Sequence, residues 1–196
     1  GQNLYKSNLQ IGGPAIMGNN GISHKIVSTD TEGIAALMKW VSYQKTVKFN
    51  LEKEPLKYIP SELNTIRKII ASILDLDSFM ELQKDWAKSM IIGRGRINGR
   101  AIGILANNPE TTQKLIPVDP GDLESALKTI NQSGSLWYPD STLKTSQAIT
   151  DIDKEKMPIL MFANLRGFSG GTTDMFQEIL KFGAGIVHAL ESINQK

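Results

Sequence analysis

The sequence predicts an α/β layered domain. Helical and strand-like apolar patterns alternate along the chain, two of the strands are joined as a hairpin, and a strand, a glycine-rich turn and a helix follow one another near the end. Two half-units divided at about residue 50 fit this pattern better than one.

Composition bounds what such a domain can do. The 196 residues are 40% hydrophobic and 21% charged, the balance of an ordered globular chain long enough to bury a core. The formal net charge is +2 and the Lys and Arg residues are scattered, so no nucleic-acid partner is expected. There is no cysteine, which removes disulfides, a thiolate nucleophile and cysteine-type zinc sites. His24 and His188 are the only imidazoles, and nothing pairs either at metal-ligand spacing, so no metal is expected. No apolar run approaches the ~20 residues of a spanning helix and no signal peptide opens the chain. The expectation is a cytoplasmic protein without a membrane partner, with a plastid or other organelle matrix as the alternative. The chain begins at Gly1 without Met and stops at Lys196 just past a helix that should feed a strand, which reads as a piece of something longer.

The elements follow in order. Residues 1–23, rich in Gly and Asn, read as loop with a helical turn near Ala15 to Met17. Thr29-Asp30-Thr31-Glu32 caps a helix whose apolar positions are Ile34, Leu37, Met38 and Val41. Residues 44–60, with Lys-rich sequence and Pro55 and Pro60, read as a boundary. A second helix after Pro60 places Leu63, Ile66, Ile69, Ile70 and Ile73 on one face. Phe79, Met80, Leu82 and Trp86 suggest a further short helical stretch. The clearest hairpin joins Met90-Ile91-Ile92 to Ala101–Leu105 through Asn98-Gly99, a pair suited to the positive φ angles of a type I′ turn. Glycines 93, 95 and 103 point to bulges or close backbone approach. Their G-x-G-x-x-x-G spacing is not a dinucleotide fingerprint, since a strand follows where a helix should. Arg94, Arg96 and Arg100 form the most basic cluster, read first as a solvated hairpin and second as a contact for a polyanionic cofactor tail. Residues 107–140 read as loop with a short helix around Asp122 to Thr129. Lys144 to Ile152 reads as a helix.

The candidate site is Ala163-Asn164-Leu165-Arg166-Gly167-Phe168-Ser169-Gly170-Gly171. The apolar run 158–162 enters it, and a helix from Thr172 to about Ser192 leaves it, so backbone N–H groups and a positive dipole end face an anion. Arg166 adds a forked, permanently charged donor suited to a carboxylate or a phosphate. Local pattern leaves those two open. Gly170 and Gly171 serve either the turn alone or close approach of a ligand. Trp137 and Phe168 read as core or as pocket wall, His24 as structural and His188 as packing. Phe176, Ile179, Leu180, Phe182, Val187 and Leu190 form a core stripe.

Several segments carry a family resemblance in order. They are Tyr5–Pro14 (YKSNLQIGGP), Ile16–His24 (IMGNNGISH), Trp86-Ala87-Lys88, Gly93–Ile97 (GRGRI), Leu115–Pro120 (LIPVDP), Leu136–Ser141 (LWYPDS), Lys144–Ala148 (KTSQA), and Arg166–Gly171 (RGFSGG). Together they resemble the carboxyltransferase part of eukaryotic-type multidomain acetyl-CoA carboxylases, over almost the whole chain. Leu165 stands where that family usually has tryptophan, at the pocket wall, and residues 44–60 match poorly.

The resemblance implies a crotonase-like fold of ββα repeats, present in part. Residues 1–45 would end the N-domain, 46–60 would be a linker, and 61–196 would be the first half of the C-domain. It implies a homodimer with the active site between the N-domain of one subunit and the C-domain of the other. The implied reaction moves a carboxyl group from carboxybiotin, on a separate carrier domain, to acetyl-CoA, giving malonyl-CoA for fatty-acid synthesis, with ATP bound elsewhere in the whole enzyme. Arg166 would recognise the malonyl carboxylate, and Trp137, Phe168, Gly170 and Gly171 would line the substrate or biotin pocket. The backbone oxyanion holes would come from turns before Gly1 and after Lys196, leaving the isolated piece inactive. The alternatives are a non-catalytic acyl-CoA-binding or assembly module of the same fold, and a propionyl-CoA carboxyltransferase.

Overall fold

A four-stranded sheet with helices on both faces organises the protein, seen in a computed structural model that describes residues 4–45 and 65–193. The strands lie in the order β1 (Met80–Leu82), β2 (Met90–Ile97), β3 (Arg100–Asn107), β7 (Ile159–Phe162). The first three are antiparallel, whereas β7 joins β3 in parallel, with Gly103 opposite Ile159 and Ala106 opposite Phe162. Parallel pairing requires a crossover. That crossover contains the hairpin β4 (Thr112–Ile116) and β5 (Lys128–Gln132), the short β6 (Leu136–Trp137), and helix α5 (Pro139–Lys154).

The hairpin lies where Asn98-Gly99 places it. Ile97 pairs with Arg100, and the two turn residues have φ of 49° and 77°. The Asp75 carboxylate accepts the turn's amides, Asn98 N–H at 3.0 Å and Gly99 N–H at 2.8 Å. Period-2 alternation then divides the sheet's side chains between two cores. Met90, Ile92, Ala101 and Leu105 pack with Ile149 and Ile152 of α5 and with Ile186 and Ala189 of α7 (Ile179–Glu191). Ile91, Ile102, Ile104 and Ala106 pack with Ile66, Ile70 and Leu74, at and just beyond α4 (Ile66–Ile73). The glycines in β2 and β3 mark close approach in an unbroken ladder. A Cβ on Gly103 would lie 2.5 Å from Ile152 Cδ1, and one on Gly93 2.6 Å from Phe79 Cε2.

Near the start, two single turns, α1 (Leu9–Gly12) and α2 (Pro14–Met17), replace the one expected. Helix α3 (Asp30–Ser42) has its expected cap: Thr29 Oγ1 accepts Glu32 N–H at 3.2 Å, while Glu32 reaches back to Ser28 N–H at 2.8 Å. Its apolar positions face outward, with Ile34, Leu37, Met38 and Val41 all exposed. The helix is tied to the body by polar contacts to backbone. Lys39 Nζ donates to Asp77 O (2.6 Å) and Phe79 O (3.0 Å), Tyr43 OH to Ser78 O, and Arg96 to Ser42 O (2.6 Å).

Other expectations are corrected. Residues 80–82 form an edge strand, because Met80 and Leu82 point into the core and Glu81 away from it. Residues 107–140 carry three strands; the segment 122–129 is turn leading into β5 rather than helix. Helix α5 begins five residues early, at Pro139, where Ser141 Oγ accepts Tyr138 N–H at 2.8 Å. The last helix is broken into α6 (Thr172–Phe176) and α7, since Glu178 adopts a left-handed φ of 62°. The register of α7 turns Ile179, Gly183, Ile186 and Ala189 inward, leaving Phe176, Leu180, Val187, Leu190 and His188 exposed and Phe182 half-buried. Arg94 and Arg96 are buried rather than solvated, at 2% and 8% exposure, while Arg100 is exposed. Pro55, Pro60, Leu63 and the boundary at 46–60 lie outside the described residues.

Candidate functional site

The loop after β7 returns to the body as a second, two-stranded sheet. β8 (Gly167–Phe168) pairs in parallel with β6, Leu136 opposite Gly167 and Trp137 opposite Phe168. Two further amides extend the staple: Arg166 N–H donates to Ser135 O and Ser169 N–H to Trp137 O, each at 2.8 Å. One guanidinium nitrogen of Arg166 donates to Gly134 O at 2.9 Å. Backbone and side chain of residue 166 are therefore fixed by neighbouring carbonyls. The side chain itself is exposed, and among the described residues no carboxylate pairs with it.

The pairing brings Trp137 and Phe168 together, with ring centroids 5.2 Å apart and planes tilted by 44°. Trp137 is core, 8% exposed, and its Nε1 has no hydrogen-bond partner. Phe168 lies outside it at 41% exposure. Beneath Phe168, α7 approaches closely: a Cβ on Gly183 would lie 2.9 Å from Phe168 Cε1. Leu165 is half-buried against the same core cluster. Gly170 has open space where a side chain would project, as does Gly167, whose φ is 141°. Gly171 sits at the N-cap of α6. The five candidate residues thus lie on β6, on β8, just before β8 (Arg166) or in the turn that follows it (Gly170 and Gly171).

Sequence reasoning missed the groups that hold this turn. Ser169 Oγ donates to the Asp174 carboxylate across the Gly170-Gly171 bend. Gly134 and Ser135 supply the carbonyls that receive Arg166. The serine-to-aspartate spacing was visible in the sequence, whereas the pairing of 134–137 with 166–169 is long-range and left no local signal.

A cavity of about 590 Å³ lies elsewhere, between α3, the β1–β2 edge and α5. Trp40, Leu82, Ile92 and Ala148 are among its walls, and the Arg94–Glu155 ion pair closes one side. None of the five candidate residues lines it. Among the described residues no group of three or more His, Asp or Glu side chains could hold a metal, and no helix is long and apolar enough to cross a membrane.

The arginine turn is thus reached by a strand, stapled to β6 and left by a helix. The carboxyl transferase domain family matches residues 1–195. The chain belongs to that family. It is 37% identical to acetyl-CoA carboxylase 1 of Oryza sativa subsp. japonica and 37% identical to acetyl-CoA carboxylase 2 of Arabidopsis thaliana. It is 36% identical to the mitochondrial acetyl-CoA carboxylase of Saccharomyces cerevisiae strain JAY291. In each case the whole chain is covered, against 10%, 9% and 10% of the relative. The chain therefore spans about a tenth of the length of these relatives.

Proposed function

We propose that this chain contributes to carboxyl transfer from carboxybiotin to acetyl-CoA, forming malonyl-CoA. The observation that carries the reading is Arg166: a permanent cation, anchored through Gly134 O and Ser135 O and without a carboxylate partner among the described residues. Guanidinium matches carboxylate geometry with two parallel donors, so Arg166 is suited to bind and orient a malonyl carboxylate. The open space at Gly167 and Gly170 gives a ligand room beside the exposed ring of Phe168. That surface fits the flat bicycle of biotin, with Phe168 holding its face and Trp137 backing Phe168. Bound biotin would supply the carboxyl group; the residues here orient the acceptor and exclude water from one side.

The wider reading rests on the family resemblance. The fold would be crotonase-like, with residues 1–45 ending one domain, 46–60 linking, and 61–196 beginning the next. The working form would be a homodimer served by a biotin carrier domain, in the cytoplasm or an organelle matrix, without nucleic-acid or membrane partners. In a carboxylase carrying this segment, Arg166→Ala raises KM for malonyl-CoA in the reverse, decarboxylating direction; an unchanged KM removes Arg166 from the site. Leu165, partly buried against the core cluster where the family resemblance implies tryptophan, supports a second reading, acyl-CoA binding without turnover, and a propionyl acceptor is a third. Measuring biotin-dependent malonyl-CoA decarboxylation separates the second from catalysis, and relative acetyl- and propionyl-CoA turnover decides the third.

A further inference from the structure

Lys144 is the most completely buried cation that the proposed reaction leaves unused. It projects from α5, is 1% exposed, and has no carboxylate partner among the described residues. Its Nζ instead donates to three backbone carbonyls of one short turn: Trp86 O at 2.7 Å, Gln83 O at 2.9 Å and Ala87 O at 3.4 Å. Two of the nearby carboxylates are otherwise engaged. Glu81 receives Arg67 at 2.7 and 3.0 Å, and Asp140 receives Lys114 at 2.9 Å and Gln132.

The turn has a shape that requires something at its centre. Gln83 and Ala87 are both left-handed, with φ of 48° and 46°, a conformation that costs energy in residues with a Cβ. Their conformation points carbonyl dipoles inward, where they repel one another unless a cation lies between them. The outer side of the same turn holds the N-terminal segment. Gln83 N–H donates to His24 O and Gln83 Nε2 to Gly21 O, both at 2.7 Å. Gly21, at φ 83°, packs so tightly on Trp86 that a Cβ would lie 2.5 Å from Cδ2 of the indole. His24 and Gln83 both line the 590 Å³ cavity.

We propose that residues 83–87 form a backbone-carbonyl site for a small primary ammonium or similar monovalent cation, filled by the tethered Lys144 ammonium, and that its occupancy holds Gly21–His24 against the body of the protein. Lys144 is a positioning residue: it acts on the cavity wall through the turn and touches no ligand. Burial pulls its pKa down to about 7, against the attraction of Glu81, Asp140 and Asp85, with Arg67 adding to the lowering. The ammonium is therefore studied at pH 6. Lys84 on the turn, and His24 and Lys25 on the docked segment, are the other charged or titratable groups on these pieces.

The test uses the full chain. Lys144→Ala at pH 6 lowers hydrogen-exchange protection of the Gln83 amide by about tenfold or more, the effect of losing one charge-assisted hydrogen bond. Ammonium or ethylammonium chloride restores that protection and raises the thermal midpoint of Lys144→Ala, whereas sodium and tetramethylammonium chloride at equal ionic strength do not. The unmodified chain is indifferent to the choice of cation. Equal response to all four salts, or protection unchanged by the substitution, overturns the proposal. If Lys144→Ala does not fold, the unmodified chain still decides: nitrogen-15 spectra of its lysine ammonium groups show one Nζ signal with protons protected from exchange at pH 6. Uniformly fast-exchanging lysine signals would reject the nest.

Discussion

Arg94 and Glu155 exchange two hydrogen bonds at 2.6 and 2.7 Å, and the guanidinium also lies 5.5 Å from the centre of the Trp40 ring. With Arg94 2% exposed, removing Glu155 strands a guanidinium away from water, and removing Arg94 leaves the half-buried Glu155 without that partner. Arg94→Ala is expected to destabilise the chain by about 3 kcal/mol, read from the urea midpoint, and a double cycle with Glu155→Ala should recover much of that loss as coupling. Lys144 makes a prediction in pH. Its folded value of about 7 lies below the ordinary lysine value of 10.5. Between those values the unfolded chain binds the proton that the folded chain has released. Stability from this group therefore rises with pH, at up to about 1.4 kcal/mol per unit; it is complete above the unfolded value and gone once pH falls through the folded one. Urea midpoints at pH 7 and pH 9 should separate the unmodified chain from Lys144→Met, in which this slope is absent. A slope that survives the substitution belongs to other groups.

At the scale of elements, one strained residue stands where α6 gives way to α7. Glu178 holds a left-handed backbone at the head of α7, and its exposed contact with Lys181 contributes little. Glu178→Gly should stabilise by about 1 kcal/mol, a rise in Tm of about 2–4 °C by differential scanning calorimetry. A fall would show that the glutamate side chain supports the break. This junction also explains what could be read from sequence. The apolar period runs through Glu178, a good helix former, so nothing local announces a break there, and it shifts which face of α7 is buried. Asn98-Gly99 carries its turn geometry in its own residues, and β2 and β3 were legible for that reason. Thr112–Ile116 and Lys128–Gln132 were not, because they form a two-stranded, largely exposed sheet with mixed polar and apolar residues on both faces. Met80–Leu82 is too short for any period and is a strand only because β2 lies beside it.

Across the whole molecule, the positions of the candidate residues were legible while their supports were not. Arg166, Phe168 and the paired glycines stand in one segment and announce a turn; the carbonyls of 134, 135 and 137 that hold it lie about 30 residues away. The same supports bear on activity. Oxyanion stabilisation needs free, converging N–H donors, each worth about 3–4 kcal/mol of barrier. In this turn the Arg166 and Ser169 amides are already engaged by Ser135 O and Trp137 O, and the bend that follows is closed by the Ser169–Asp174 hydrogen bond. On the proposed function this turn grips a carboxylate, while its Arg166 and Ser169 amides are unavailable to a developing enolate. On the proposed function, binding and turnover should therefore separate when the 196-residue chain is studied alone. Malonyl-CoA should protect amides of residues 134–137 and 166–171 from exchange, Arg166→Ala should abolish that protection, and decarboxylation in the presence of free biotin should stay at the uncatalysed rate. Substantial turnover by this chain would mean that oxyanion donors exist within it after all, and the division of labour argued from the engaged amides would be wrong.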